Sequence, residues 1–290
     1  MTAAPAAVPA EQLPAPDPAP GYWTEADAAG LTVRRGGHRL VVGSCTDALS
    51  TEPGLFVEYA DPGAFTDGTL EAVLADLAGR HPGSAVFQVR TPAGTRLPPP
   101  WRRSLTYVRL TRPLTGRPRP DGLRIVAATE EHQGPVRVWT ARAIRQGADE
   151  QGRQAAEDDI AAAAAEVLDA RPTVLVAVLD GAPVGHAVLL DEQADAVTAA
   201  AHTELWDVLV EPDAPHAGAC RDALVAAAAA HAAGRGLPLL GHVVHRSDES
   251  RSAALTALQA RGWSTDHIYW TTSPAELAAV LPPTSIGTPR

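Results

Sequence analysis

The chain has 290 residues and a net charge of −10, and its 24 basic residues are all arginine. This length fits one large domain or two small ones, and the acidic balance argues against a nucleic-acid partner, which requires a clustered basic face. The sequence has no apolar stretch of about 20 residues that would cross a membrane, and it has only two cysteines, so we expect a cytoplasmic protein without a disulfide framework. Residues 1–20 are rich in proline and alanine and predict a disordered tail without signal-peptide features.

The first block, residues 21–115, predicts a small α/β domain. It contains a strand at Leu55–Pro62, a helix at Thr69–Leu77 and a strand at Ala85–Val89. A proline- and arginine-rich stretch, Thr111–Pro120, follows. Proline restricts its own backbone and that of the residue before it, so this stretch predicts an extended linker. We place the domain boundary near residues 115–121.

The second block, residues 121–281, opens with a predicted strand at Leu123–Ala127. Periodicity and turn residues then predict two helices, a hairpin, a strand, an alanine-rich helix, a strand, a helix and a final strand. Their approximate ranges are 130–145, 155–168, 173–179 with 184–190, 202–210, 223–233, 237–244, 250–261 and 267–271. This order predicts a mixed α/β fold built around one twisted sheet.

The two blocks share landmarks in the same order, which indicates an internal repeat. The strand at Leu55–Pro62 parallels Leu205–Pro212, and each following helix ends in Ala-Gly-Arg before another strand. Trp101 and Tyr107 stand six residues apart, as do Trp263 and Tyr269. The first copy is shorter in the loop before its helix. It therefore reads as a partial repeat.

The segment Glu204–Leu224 combines a strand end, a turn of small residues and a helix start. Free N–H groups at a helix N-terminus and the helix dipole suit a pyrophosphate, and small residues allow close backbone approach. A plain strand–loop–helix connection would have the same layout. These residues alone leave both interpretations open.

At this segment the chain resembles the GNAT superfamily of acyl-CoA-dependent N-acyltransferases, whose element order residues 121–272 match. The family's loop pattern, V-x-P-x-x-R/Q-G-x-G-x-G/A, falls on residues 210–220. Three positions match it: Val210, Pro212 and Gly218. Three depart from it: Pro215, His216 and Cys220. The resemblance implies a GNAT-like mixed twisted sheet flanked by helices, preceded by a smaller α/β domain that is a partial copy.

The resemblance also implies a site for an acyl-CoA co-substrate along the strand end and the turn. The residues implied are Val208, Leu209, Val210, Pro215, His216, Ala217, Gly218, Ala219, Cys220 and Arg221. The ten histidines show no metal-ligand spacing and Cys220 has no CxxC partner, so we expect no metal. We also do not expect Cys220 to be a nucleophile, although a helix N-terminus would lower the pKa of its thiol.

An amine acceptor must lose a proton before it attacks a thioester, so the reaction needs a base. In one branch of the family a glutamate six residues before the loop valine is the base, and that position is Glu204. Strand alternation predicts that Glu204 shares a face with Trp206, Val208 and Val210. A solvated glutamate at a strand edge is the alternative interpretation. Asp207, expected on the opposite face, and His245 are weaker candidates for the base.

The general acid is missing at its usual place. Many relatives carry a tyrosine four residues before the glycine that ends the last helix. That glycine corresponds to Gly262 here, so the tyrosine position is occupied by Leu258. Tyr269 on the final strand is the substitute that we predict. The acidic run Glu157–Asp159 could recognise a cationic acceptor, but such runs are more often solvated helix faces.

The resemblance implies an N-acyltransferase that moves acetyl from acetyl-CoA to the primary amine of a small molecule by direct attack. Two alternatives stay open: a non-catalytic binding or scaffold module, and transfer of another acyl group such as succinyl or malonyl. In the first block Gly54 takes the place of Glu204 in the repeat. That block is therefore predicted to be a scaffold or a wall for the acceptor site.

Overall fold

The computed structural model describes residues 17–46, 52–245 and 248–280. The helices there are α1 (Tyr22–Ala28), α2 (Thr69–Arg80), α3 (Gln133–Glu150), α4 (Glu157–Asp169), α5 (Ala217–Gly234), α6 (Asp248–Ala260) and α7 (Pro274–Val280). The strands are β1 (Thr32–Arg35), β2 (His38–Thr46), β3 (Pro53–Ala60), β4 (Val86–Pro92), β5 (Arg102–Leu110), β6 (Leu123–Ala127), β7 (Thr173–Leu179), β8 (Ala182–Ala194), β9 (Ala201–Val210), β10 (Leu239–Val244) and β11 (Trp263–Thr272). The mixed α/β fold is confirmed.

All these strands form one sheet in the order β1-β2-β3-β4-β11-β5-β10-β9-β8-β7-β6. The last strand of the first block, β5, lies between β10 and β11, which both belong to the second block. Conversely, β11 lies between β4 and β5 of the first block. The two blocks thus exchange their last strands. The sequence predicted two neighbouring domains, whereas the backbone hydrogen bonds join them into one continuous sheet.

The exchanged strands meet with approximate two-fold symmetry. In their antiparallel register Thr106 pairs with Ile268, Tyr107 with His267, and Leu105 with Tyr269. A two-fold axis between Thr106 and Ile268 therefore superposes Tyr107 on Tyr269. This is the equivalence that the sequence repeat predicted for the two tyrosines, and the tandem arrangement is confirmed.

A β-bulge occurs at the same place in both halves. In β9, Val188 pairs with Asp207 and Leu189 with Leu205, which leaves Trp206 as the extra residue. In β3, the corresponding shift leaves Glu58 as the extra residue. Counting two residues back from each bulge aligns Glu204 with Phe56. The equivalence of Glu204 with Gly54 was therefore wrong, because the repeat had been aligned on prolines beyond the bulge.

Each half has its own core on one face of the sheet. In the first half α2 packs on β2, β3 and β4, and Leu97, Trp101 and Leu277 complete that core. In the second half α5 packs on β7, β8 and β9, with Ala228 and Ala232 fully or almost fully buried. Small side chains on α5 let the helix approach the sheet closely. Helix α3 covers the other face, through Val136 and Trp139.

The linker, residues 111–120, contains no helix or strand, as predicted. It is nevertheless held against the second half. The N–H groups of Thr111 and Arg112 donate to the carbonyl of Gly262 over 3.0 and 3.1 Å. Further along, the N–H group of Arg117 donates to Asp222 of α5 over 2.9 Å, so the linker has a defined position beside that helix.

Candidate active site

The central feature of the second half is a cleft where two parallel strands separate. Strands β9 and β10 pair only at Thr203–Leu205 and Leu239–Gly241, and beyond these residues they diverge. The resulting cleft has a volume of about 1360 Å³. It is lined by both strands, by Tyr107 on β5, and by parts of α3, α5, α6 and the linker. A ligand entering it would meet the exposed backbone edges of β9 and β10.

Glu204 lines this cleft near the point where the strands separate. Its side chain is 13% exposed, and its Oε1 atom lies 3.3 Å from the Tyr107 hydroxyl and 3.2 Å from Nδ1 of His242. The predicted face was wrong. Because the Trp206 bulge reverses the alternation, Leu205 joins Val208 and Val210 in the core under α5. Glu204 therefore points to the face covered by α3.

The surroundings of Glu204 favour its ionised form. Burial has the largest effect and by itself raises the pKa. The hydrogen bond and charge of His242, the charge of His202 and the hydrogen bond from Tyr107 together outweigh it, so the pKa of Glu204 lies below its usual value. The carboxylate is therefore negatively charged at neutral pH and can accept a proton.

Tyr107 is a site residue that sequence analysis missed, although it was one of the landmarks of the repeat. Its ring stacks on His267 with a centroid distance of 4.4 Å and lies 5.6 Å from the ring of His242. Burial, followed by the negative charge of Glu204, raises its pKa. The phenol therefore stays neutral and donates a hydrogen bond to Glu204. The strand exchange that brings it there leaves no signal in the local sequence.

The structure places the predicted acid differently. Tyr269 lies on β11, where its ring stacks on Phe56 at 5.6 Å and is 5.8 Å from the ring of Tyr107. Burial raises its pKa to about 12, and it is not among the residues that line the cleft. Leu258, at the position of the family tyrosine, does line the cleft. His245 is buried and contacts Thr106 over 2.8 Å.

Asp207 also lines the cleft, on the same face as Glu204 rather than on the opposite face as predicted. The bulge again accounts for this. The Oδ2 atom of Asp207 lies 2.8 Å from Nε2 of the fully buried His186, whose ring contacts Trp139. This contact holds one carboxylate oxygen of Asp207 against the buried His186.

The predicted acyl-CoA residues divide into two groups. Those that line the cleft are Val208, Leu209, Val210 and Arg221. The others belong to the turn and the first turn of α5, outside the cleft lining: Pro215, His216, Ala217, Gly218, Ala219 and Cys220. Helix α5 begins earlier than predicted, after His216 in a left-handed conformation with φ 57°. The N–H groups of Ala217 and Ala219 donate to carbonyls of the turn itself.

Arginines from outside the predicted loop stand beside this helix N-terminus. The carboxylate of Asp222, only 5% exposed, accepts hydrogen bonds from the backbone and side chain of Arg117 over 2.9 and 3.2 Å. It also pairs with Arg261 at 2.8 Å. A Cβ atom at Gly218 would lie 2.8 Å from Nη1 of Arg117, so the Arg117 side chain would have to move to admit a larger residue there. Two guanidinium groups thus converge on one end of the cleft.

Other predicted features lie away from the cleft. Burial raises the pKa of the Cys220 thiol, and its sulfur contacts the carbonyl of Pro215, so the helix terminus does not activate it. Glu157, in the first turn of α4, is exposed and pairs with Arg145. Within the described ranges, His, Cys, Asp and Glu side chains form no group of three placed to hold a metal. None of the helices described there is both long and apolar enough to cross a bilayer.

Comparison with solved structures identifies the fold. A GNAT-family acetyltransferase from Colwellia psychrerythraea aligns with 87% of this chain and 95% of its own, at 11% identity and a TM-score of 0.51. A GCN5-related N-acetyltransferase from Sphaerobacter thermophilus aligns with 82% of this chain and 76% of its own, at 13% identity and a TM-score of 0.50. The chain has a GNAT fold.

A third GNAT structure, a tandem GNAT protein from the clavulanic acid biosynthesis pathway, covers 84% of this chain and 82% of its own. Its identity is 17% and its TM-score 0.45. The sequence matches no protein-family model, and no curated protein matches it either. The GNAT likeness is therefore one of fold.

Proposed function

We propose that the protein is an acyl-CoA-dependent N-acyltransferase that transfers acetyl from acetyl-CoA to the primary amine of a small molecule. The observation that carries this proposal is the cleft between β9 and β10, with an ionised, largely buried Glu204 at the point where the strands part. A thioester lying along β9 would present its carbonyl carbon beside this carboxylate. The cleft would thus hold the acyl donor along β9 with a base beside its reactive carbon.

The acceptor ammonium gives one proton to Glu204, directly or through a water, and the free amine attacks the thioester carbonyl carbon. The C–N bond forms, the C–S bond breaks, and the leaving thiolate takes up a proton. Backbone N–H groups of β9 beyond Leu205 have no partner from β10, and they supply donors for the oxyanion. A thiolate can leave unassisted, so Leu258 does not prevent turnover.

On the donor side, the phosphates of CoA would lie at the end of the cleft near α5. The guanidinium groups of Arg117, Arg221 and Arg261 are the positively charged groups available there. Arginine matches phosphate geometry well. In a chain of net charge −10 without lysine, this local excess of positive charge favours an anionic ligand.

The departures of residues 210–220 from the family's loop pattern support a second candidate, a non-catalytic GNAT-like module. Ala217 and Ala219 direct their N–H groups into the turn, and Arg117 lies over Gly218, so fewer backbone donors remain for a phosphate. A third candidate keeps the cleft but uses a different acyl group, such as succinyl or malonyl. Donor binding and turnover separate these candidates.

Calorimetry with acetyl-, succinyl- and malonyl-CoA, followed by turnover on a panel of amines, tests the proposal. We expect acetyl-CoA to bind best, and Glu204→Gln to lower kcat by about 10²-fold or more while leaving donor affinity unchanged. Absence of binding at millimolar acetyl-CoA contradicts the enzyme proposal. Binding without turnover, unchanged by Glu204→Gln, identifies the module, and tighter binding of succinyl- or malonyl-CoA identifies the third candidate.

A further inference from the structure

The first half of the chain reaches the cleft of the second half through one strand. Strand β5 pairs with β10 in an antiparallel register that sets Tyr107 opposite His242. On the next strand, Leu240 pairs with Glu204. Tyr107, His242 and Glu204 therefore project from three neighbouring strands toward the same face. The hydroxyl that contacts Glu204 comes from the first block, which was predicted to be a scaffold or a wall for the acceptor site.

Both partners of Glu204 contact the same carboxylate oxygen. The Tyr107 hydroxyl lies 3.3 Å from Oε1, and Nδ1 of His242 lies 3.2 Å from Oε1. Among the described residues, Oε2 accepts no hydrogen bond in the structure. Since Oε1 is occupied, Oε2 is the oxygen left to face the cleft. The two contacts thus orient the carboxylate as well as stabilise its charge.

We propose that Tyr107 is a positioning residue for the N-acyltransferase reaction: its phenol holds Glu204 ionised and leaves Oε2 to receive the acceptor's proton. This inference rests on the proposed function. It assigns the first half a direct role in the site, since the strand exchange alone delivers this hydroxyl. The neutral phenol donates one hydrogen bond and does not itself exchange a proton with the substrate.

Other charged groups surround this contact and must be considered. His242 and His202 lower the pKa of Glu204, while Arg90 and Tyr269 also act on Tyr107. His267 stacks against the Tyr107 ring, and its nitrogen Nδ1 is held by Asp266 at 2.8 Å. These groups remain in place when only the Tyr107 hydroxyl is removed, so its contribution can be isolated.

The test is Tyr107→Phe, which removes the hydroxyl and keeps the ring that stacks on His267. Loss of one hydrogen bond to a charged group raises the pKa of Glu204 by about one unit. In the pH profile of kcat/KM, the midpoint of the acid limb then moves up by about one pH unit, while the KM for acetyl-CoA stays unchanged. Tyr22→Phe is the matched control, because it removes a hydroxyl that donates to Glu58 over 2.9 Å in the first half. We expect it to leave the acid limb in place.

A second readout does not require activity. Carbon-13 NMR titration of the Glu204 carboxyl, assigned with Glu204→Gln, reports its pKa directly in the full-length protein. An upward shift in Tyr107→Phe supports the proposal. An unchanged pKa overturns it, as does an acid limb that fails to move in an active enzyme. If no amine is acylated but the titration shifts, the proposed function fails while the Tyr107–Glu204 coupling stands.

Discussion

Arg90 on β4 and Asp195, at the end of the β8–β9 hairpin, form an ion pair that joins the two halves of the chain. Their side chains are only 9% and 13% exposed. Asp195 also accepts hydrogen bonds from the N–H groups of Val197 and Thr198, and Val197 packs beside Tyr22 and Val41 of the first half. The β8–β9 hairpin of the second half thus packs on the sheet of the first half and is held there by the ion pair.

We predict that Asp195→Asn destabilises the protein by about 3 kcal/mol, because it removes the carboxylate that pairs directly with the buried Arg90 guanidinium. Urea unfolding measures the change. The matched control is Asp27→Asn, which breaks an exposed pair with Arg34 and should cost less than about 1 kcal/mol. Equal losses from the two substitutions would contradict the prediction.

Arg117 offers a test of the donor site. Arg117→Ala should weaken CoA binding by about tenfold, the effect of one charge-assisted hydrogen bond. Pantetheine, which lacks the phosphates, should bind both proteins equally in calorimetry. Arg119→Ala is the control, because this linker arginine donates to the carbonyl of Leu123 instead. If pantetheine affinity falls as much as CoA affinity, Arg117 supports the fold rather than the phosphates.

The exchanged strands predict that neither block folds alone. A fragment of residues 1–115 lacks β11 between its β4 and β5, and a fragment of residues 116–290 lacks β5 between its β10 and β11. Each fragment then carries unpaired strand edges inside its sheet. We expect each to lack cooperative unfolding by circular dichroism and the mixture to regain it. Cooperative unfolding of either fragment by itself would show that the exchange is dispensable.

Asp266 predicts a specific loss of stability in acid. Burial alone would raise its pKa, but the hydrogen bond and charge of His267, followed by Arg109, lower it to about 2. A depressed carboxyl pKa stabilises the fold above the unfolded value near 4, and this contribution disappears as pH falls toward 2. The contribution is about 2 kcal/mol. Urea unfolding from pH 7 to pH 2 should show a shallower acid decline for Asp266→Asn, and an unchanged slope would refute the assignment.

Glu204 shows how far local sequence patterns reach. Its position six residues before Val210 singled it out, and the structure does place it in the cleft. Its face was predicted incorrectly, because strict alternation assumes a regular strand and Trp206 is an extra residue. Bulges depend on pairing with the neighbouring strand, which the sequence of β9 alone does not reveal.

Phe56 and Tyr269 show what the sequence repeat predicted and what it left open. Spacing identified Tyr269 as the counterpart of Tyr107 in the repeat, and the register of β5 with β11 agrees. Strand β11 brings Tyr269 into the part of the sheet formed by the first block, where its ring stacks on Phe56. Tyr107 contacts Glu204 at the equivalent place in the second block. The two halves thus share the same backbone arrangement, but only the second has a carboxylate at this position, where the first has Phe56.

Length, composition and periodicity determined by themselves that this chain is an acidic α/β protein with a tandem, unequal repeat and alanine-rich helices that suit close packing. Local signals suffice for these features, because turns, helix stops and strand patterns lie within a few residues of one another. Only the tertiary structure decided that the halves exchange strands, that Tyr107 reaches Glu204 across 97 positions of sequence, and that Arg117 stands beside the α5 turn. Those contacts arise from strand pairing and linker docking between distant segments, and no local pattern encodes them.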